Sequence, residues 1–185
     1  MPKAWQLSPR SVRRDSVANR HSAANGDVAV NNASHQKTNM SDNPAQHLAE
    51  QVTQKLYAVD QASRALGIRI VEVRPGYARA SLVVRPDMTN GHRICHGGMV
   101  FALADSAFAF ACNSYNENTV AAAAAIDFLA PAHQDDELTA TANEVWRSKR
   151  NGIYEVTVTN QDGTRIALFR GRSARIDGHV LATGE

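Results

Sequence analysis

Two histidines, a cysteine and a pair of glycines stand just ahead of a long apolar run in NGHRICHGGMVFALADSAFAFACN, from Asn90 to Asn113. A single charged residue, Asp105, lies inside that run. Burial disfavours a carboxylate, so the group either finds hydrogen-bond partners or its pKa rises. Asp105 is then either a structural acceptor, bonded to a backbone amide or to a serine such as Ser106, or a group kept for acid–base or nucleophilic work. Gly97 and Gly98 favour the second role. The first amides of a helix lack intrahelical acceptors and lie at the positive end of its dipole. A glycine there lets a ligand approach the backbone, so the amide can polarise a carbonyl and stabilise an oxyanion.

Spacing then constrains the site. Eight residues separate Gly97 from Asp105, about 12 Å along a helix axis. Both groups must reach one reacting centre at roughly 3 Å. One chain cannot easily supply both, whereas two chains related by a two-fold axis can, with the glycine end from one and the carboxylate from the other.

The elements that must position these residues follow from periodicity. Leu48, Val52, Leu56 and Val59 recur at helical spacing after Pro44, with Asp42 or Asn43 as the cap and Gly67 closing the region. GIRIVEVR and YARASLVVR read as two strands joined at Pro75-Gly76, and Pro86 closes the second. Residues 86–96 form a loop and 97–112 a helix. That helix is apolar on every face, which predicts burial. Strands follow at 119–129, 137–148, 153–160 and 165–176, with tight turns expected at Asn151-Gly152 and Gln161-Asp162-Gly163. The order α-β-β-α-β-β-β-β is rich in hairpins, so the expected architecture is α+β, a curved antiparallel sheet wrapped around one central helix.

Composition narrows the classes. Of 185 residues, 43% are hydrophobic, enough for a sizeable core. The net charge of +2 is uneven: through residue 39 there are six basic residues and two acidic ones, which leaves the rest slightly acidic. No basic stripe runs through the body, which argues against nucleic-acid binding there. No apolar run reaches the ~18 residues of a membrane span. Cys95 and Cys112 fall near opposite ends of the expected helix, whose ends lie about 22 Å apart at 1.5 Å per residue, too far for a disulfide. Free thiols suit a reducing compartment, here the cytoplasm. Residues 1–44, rich in Ser, Asn, Ala and Arg, are expected to be a disordered N-terminal extension, with residues 45–185 as the folded domain. Met40 could itself serve as a start, and the Arg/Ser content gives a faint likeness to a transit peptide.

The same residues could serve other chemistry. His92, Cys95 and His96 offer three close ligands for zinc but no fourth at usual spacing. Cys95 as a nucleophile with His96 as its base would need adjacent side chains to converge from an extended loop. Asp127, in a strand, is expected to be a structural, hydrogen-bonded residue.

The run from Asn90 to Asn113, followed by IDFLAP, GIYEVTVTNQDG and IALFRGRSARI, closely resembles the phenylacetate-degradation thioesterases of the PaaI type, within the hotdog-fold superfamily. The resemblance covers about Leu48 to Gly178 and none of the leader. It implies a hotdog fold, dimers paired into tetramers, and hydrolysis of acyl-CoA thioesters such as phenylacetyl-CoA and its ring-hydroxylated relatives. It also implies roles for individual residues. Asp105 matches the carboxylate that acts as general base or nucleophile. Gly97 matches the glycine whose NH polarises the thioester carbonyl. His96 and Asn90 match residues that orient the loop and help place water or leaving group, and Gly98 the second glycine of the motif.

Some relatives carry a serine or threonine on the strand after the helix. Here Val120 to Leu129 contains no hydroxyl. Lys149, Arg150, Arg170 and Arg172 are candidates for meeting the CoA phosphates, with Tyr57 and Asp60 lining the acyl pocket. Neither a metal nor a bound cofactor is required, because a polarising NH and one carboxylate suffice for an electrophilic thioester with a good leaving group. The competing functions are a non-catalytic acyl-CoA-binding protein and an acyl-CoA hydratase on the same fold.

Overall fold

The computed structural model describes residues 43–182, so the expected disordered extension lies outside the described residues apart from Asn43 and Pro44. Helix α1 spans Pro44–Val59. Asn43 caps it by accepting the Ala45 NH at 3.1 Å, and Pro44 occupies the first turn, where no amide is needed. One expectation changes here. The helical region up to Gly67 is two helices, because Asp60 leaves the helical conformation and starts α2, Gln61–Leu66. Its carboxylate accepts the Ser63 NH at 2.9 Å. Gly67, at φ 77, ends α2 in the left-handed region that glycine tolerates best.

Strands β1 (Arg69–Arg74) and β2 (Tyr77–Val83) form the expected hairpin, turning at Gly76 with φ 71. A short 3-10 turn over Pro86–Met88 leads through a loop to α3, Gly97–Asn113. Then come β3 (Thr119–Phe128), β4 (Glu137–Arg147), β5 (Asn151–Thr159) and β6 (Arg165–Arg175). They make one six-stranded sheet in the order β1-β2-β4-β5-β6-β3, with every neighbouring pair antiparallel.

The expected turn at Asn151-Gly152 is corrected. The chain reverses at Ser148–Arg150, where the Ser148 NH and hydroxyl both reach the Asn151 carbonyl. Asn151 and Gly152 already belong to β5. Gly152 is there for close packing: a β-carbon would lie 2.7 Å from the Tyr154 ring and 2.8 Å from the Ser173 hydroxyl.

Leu103, Ala107, Phe108 and Ala111 of α3 pack onto Leu82, Leu138, Val156, Val158 and Phe169 of the sheet. Phe108 sits between Tyr154 and Phe169, at ring separations of 5.4 and 5.9 Å. The expectation that α3 is buried all round holds for only part of it. Phe101, Ala102, Asp105, Ser106 and Ala109 remain half-exposed in the single chain. Beside this face β3 forms the edge of the sheet, with Ala121 to Ala125 exposed one after another.

Candidate active site

The loop before α3 is pinned at several points, and that fixes where the helix starts. Backbone bonds join His96 NH to the Met88 carbonyl at 2.8 Å and Cys95 NH to the Ala132 carbonyl at 2.8 Å. Asn90 organises the turn between them. Its Oδ1 accepts the His92 amide at 2.9 Å and the Ile94 amide at 3.5 Å, and its own NH bonds the Ile94 carbonyl. Arg93 takes up the reversal at φ 60. Asn90 thus bonds across this turn through both its side chain and its backbone.

His96 is the N-cap of α3. Its Nδ1 accepts the Gly98 NH at 2.9 Å, and its carbonyl accepts the Met99 NH at 2.8 Å. The next amide outward, that of Gly97, has no acceptor among the described residues. A free amide at the positive end of a 17-residue helix is a donor for an anionic oxygen. Phe128 covers one side of it: a β-carbon on Gly97 would lie 2.9 Å from Cζ of that ring.

Asp105 lies two turns further along α3, half-buried. Loss of solvent pushes its carboxyl pKa above the ordinary value, and no hydrogen bond contributes to the shift. The structural alternative, a bond to Ser106, is not what forms. Ser106 bonds instead to Ser63 at 3.1 Å. Asp105 therefore keeps both oxygens free of protein partners among the described residues.

The remaining candidates divide by location. Asp60 caps α2 and helps line a groove of about 230 Å³ between the end of α1 and α3, with Leu56, Val59, Ala109, Phe110 and Asn113. Tyr57 faces another way. Its hydroxyl donates to the Ile68 carbonyl at 2.8 Å, and it lines the cleft between α1 and β1. Lys149 and Arg150 flank a basin of about 600 Å³ together with Arg175 and Asp177. They neighbour Cys112 and Thr119, at the end of α3 opposite Gly97, about 24 Å away along the helix. Neither forms an ion pair among the described residues, whereas Arg170 pairs with Glu155 at 3.2 Å. Asp127 is exposed on β3, and its side chain takes no hydrogen bond among the described residues, contrary to its expected structural role.

His92, Cys95 and His96 have separate duties. Cys95 is buried with its thiol toward the His96 carbonyl, and burial raises its pKa. His96 spends Nδ1 on the cap. Among the described residues no three His, Cys, Asp or Glu side chains converge on a metal-sized site. Both cysteines are free and buried, and burial pushes the Cys112 thiol up to about 12.

Sequence reading missed Ser63, Ser106 as its partner, and Phe128. The first had a signal. Asp60 followed three residues later by Ser63 has the spacing of a helix cap and its N3 residue, which marks a second helix start. Phe128 had none, since its contact with Gly97 joins residues far apart in the chain.

Residues 92–167 match the family model described as the thioesterase superfamily. Over 139 residues the chain is 45% identical to the acyl-coenzyme A thioesterase PaaI of Escherichia coli, covering 75% of this chain and 98% of the relative. The chain belongs to the thioesterase superfamily. A solved structure of the E. coli PaaI protein superposes on this thioesterase with a TM-score of 0.72 at 44% identity, covering 73% of this chain and 98% of that one. The PaaI protein of Thermus thermophilus, solved as a point mutant, matches at 37% identity with a TM-score of 0.61, over 63% of this chain and all of the other. The fold is the hotdog fold, and the general expectation of an acyl-CoA thioesterase holds for this chain. No helix among its described residues is long and apolar enough to cross a membrane.

Proposed function

We propose that this thioesterase hydrolyses aryl-acetyl-CoA, such as phenylacetyl-CoA, or medium-chain acyl-CoA, in a site shared by two chains. The Asp105 carboxylate of one chain acts as general base on water, and the Gly97 amide of the other polarises the thioester carbonyl. His96 and Asn90 hold the Gly97 amide in place through the cap and the loop bonds described above, and Gly98 leaves room for the substrate.

The observation that carries this reading is the pairing of a free helix-start amide with a half-buried carboxylate lacking protein partners, two turns apart on one helix. Their separation along the axis is about 12 Å. A two-fold axis beside the half-exposed face of α3 brings each Gly97 toward the other chain's Asp105. The exposed alanine edge of β3 lies next to that face and suits strand pairing between copies. Such dimers would pair into tetramers. Lys149 and Arg150, free of ion pairs among the described residues, suit the CoA phosphates. The free thiols fit a reducing cytoplasm.

Thiol release from a panel of acyl-CoA esters, phenylacetyl-CoA among them, tests the reading. The natural protein should turn over at least one member, and Asp105→Asn should lose 10² or more in kcat, the scale of an acid–base group. Tight acyl-CoA binding without turnover would make it a binding protein instead.

A further inference from the structure

Past β6 the chain runs into a strap that two asparagines tie down. The Ile176 NH donates to the Asn118 carbonyl at 2.8 Å, and the Asn118 NH to the Gly178 carbonyl at 3.3 Å. The Asn118 side-chain amide donates to the Asp177 carbonyl at 3.1 Å. Asn116 is only 7% exposed. Its Oδ1 accepts the Leu181 NH at 2.7 Å, and its Nδ2 donates to the Leu181 carbonyl at 3.2 Å. Gly178 makes the bend at φ 94, where a β-carbon would lie 2.9 Å from Nδ2 of Asn118. The bonds on both sides fix the backbone of Asp177.

Asp177 borders the basin of about 600 Å³ that also holds Lys149, Arg150 and Arg175. Arg175 is spent on Glu117 at 2.9 Å. The side chains of Lys149, Arg150 and Asp177 pair with nothing among the described residues. The basin therefore offers two cations and one carboxylate. The cations suit phosphate oxygens. An ionised carboxylate can only accept hydrogen bonds, and it repels a phosphate. A ligand that satisfies all three carries anionic oxygens with an O–H donor beside them. A bare phosphate lacks the donor, whereas a nucleoside phosphate has it in its ribose, a group that carboxylates hold elsewhere.

The basin also lies in line with Asp105. Cys112 is seven residues further along α3, so it projects within about 20° of Asp105 and about 10 Å along the axis. Cys112 borders a small hollow shared with Lys149, Arg150 and Arg175. The stripe of α3 that carries the carboxylate thus leads to the hairpin cations of the same chain, and a pantetheine arm connects the two.

We propose that Asp177 is a specificity-determining residue for the nucleotide end of CoA, accepting a hydrogen bond from the ribose hydroxyl beside the 3′-phosphate, and that Asn116 and Asn118 are positioning residues that hold it there. The inference rests on the thioesterase reading and deepens it. Lys149 and Arg150 supply charge, which any phosphate satisfies. Asp177 adds the discrimination, because it rewards a ribose and penalises a bare phosphate. Esters of phosphopantetheine alone lack the group it reads.

The test is steady-state hydrolysis of three phenylacetyl thioesters, those of CoA, 3′-dephospho-CoA and phosphopantetheine, or the same three esters of whichever acyl group the natural protein turns over. It compares the natural protein with Asp177→Ala, Asp177→Asn, Asn116→Ala, the double variant Asn116→Ala/Asp177→Ala and the double variant Lys149→Ala/Arg150→Ala, with melting curves for each. The natural protein should show a KM for the phosphopantetheine ester at least tenfold above that for the CoA ester. Asp177→Ala should raise KM for both nucleotide esters about tenfold with kcat within about twofold, the scale of one charge-assisted hydrogen bond. Its KM for the phosphopantetheine ester should stay where it was. Asp177→Asn keeps an acceptor and should recover most of the loss. Asn116→Ala should raise KM for the same two esters, and Asn116→Ala/Asp177→Ala should go no further than Asp177→Ala. Lys149→Ala/Arg150→Ala should raise KM more for the CoA ester than for its dephospho form. An unchanged or lowered KM for the CoA ester in Asp177→Ala, or an equal rise for the phosphopantetheine ester, would overturn the assignment. Equal KM for the CoA and phosphopantetheine esters in the natural protein would overturn it too and leave the thioesterase reading standing. If the natural protein cleaves no thioester, that reading falls and takes this with it.

Discussion

The ring of Phe128, at the end of β3, lies against the α-carbon of Gly97, with Cζ 2.9 Å from where a β-carbon would be. The contact falls on the far end of a side chain that is 55% exposed, so the ring can swing aside at little cost. What a methyl group would block is the approach of a thioester to the amide. Gly97→Ala should therefore melt within a few degrees of the natural protein while kcat falls at least tenfold, the loss of one oxyanion donor being worth about 10²–10³ at most. Circular dichroism melts beside initial rates would separate the two effects. A large drop in melting temperature would mean that Gly97 serves packing.

Gly171 gives the opposite pattern. It is buried on β6, and a β-carbon there would meet three atoms of the Phe108 ring at 3.0 Å. That ring is fixed between Tyr154 and Phe169, so it cannot yield freely. Gly171→Ala should destabilise by about 1–3 kcal/mol, the usual cost of overpacking. Urea unfolding would show it as a lower midpoint at unchanged slope.

Asp105 links activity and stability to pH with opposite signs. Burial raises its pKa above the ordinary 3.8. A base must be ionised, so kcat/KM should fall as pH drops through that raised value, at higher pH than an exposed aspartate would give. Stability runs the other way. Between the unfolded and the raised folded pKa the native state holds more protons than the unfolded chain, so stability declines as pH rises across that window and stays lower above it. Asp105→Asn should thus melt higher than the natural protein at pH 7, with the gap closing as pH approaches 3.8. Equal melting at both values would mean the carboxylate finds a partner that compensates its burial. Single turnover in ¹⁸O-water would then separate base from nucleophile, since only an anhydride route carries label into Asp105.

Much of this was legible in the sequence because it depends on local spacing. The glycine pair, the lone Asp105 and the distance between them come from one helix, and the long apolar run that follows the glycines marks that helix. Hairpin turns at Gly76 and Gly163 follow from glycine at positive φ. What sequence could not supply were contacts between distant segments. Phe128 meets Gly97 only because β3 crosses to the far edge of the sheet. Ser106 meets Ser63 only because α2 folds back over α3. The full burial expected of α3 also failed for a long-range reason. A run apolar on every face reports that a helix is to be covered but not whether the sheet of the same chain covers it.

Complementation between impaired variants tests the shared site most directly. Gly97→Ala and Asp105→Asn chains, each purified alone, are mixed under conditions that exchange subunits, and thiol release is followed. A dimer of one of each has one site with both changes and one with neither. The account predicts that the mixture regains about a quarter of natural activity, as half of randomly formed pairs are mixed and each holds one intact site. If subunits exchange and the mixture stays as inactive as its parts, Gly97 and Asp105 do not serve one site from two chains.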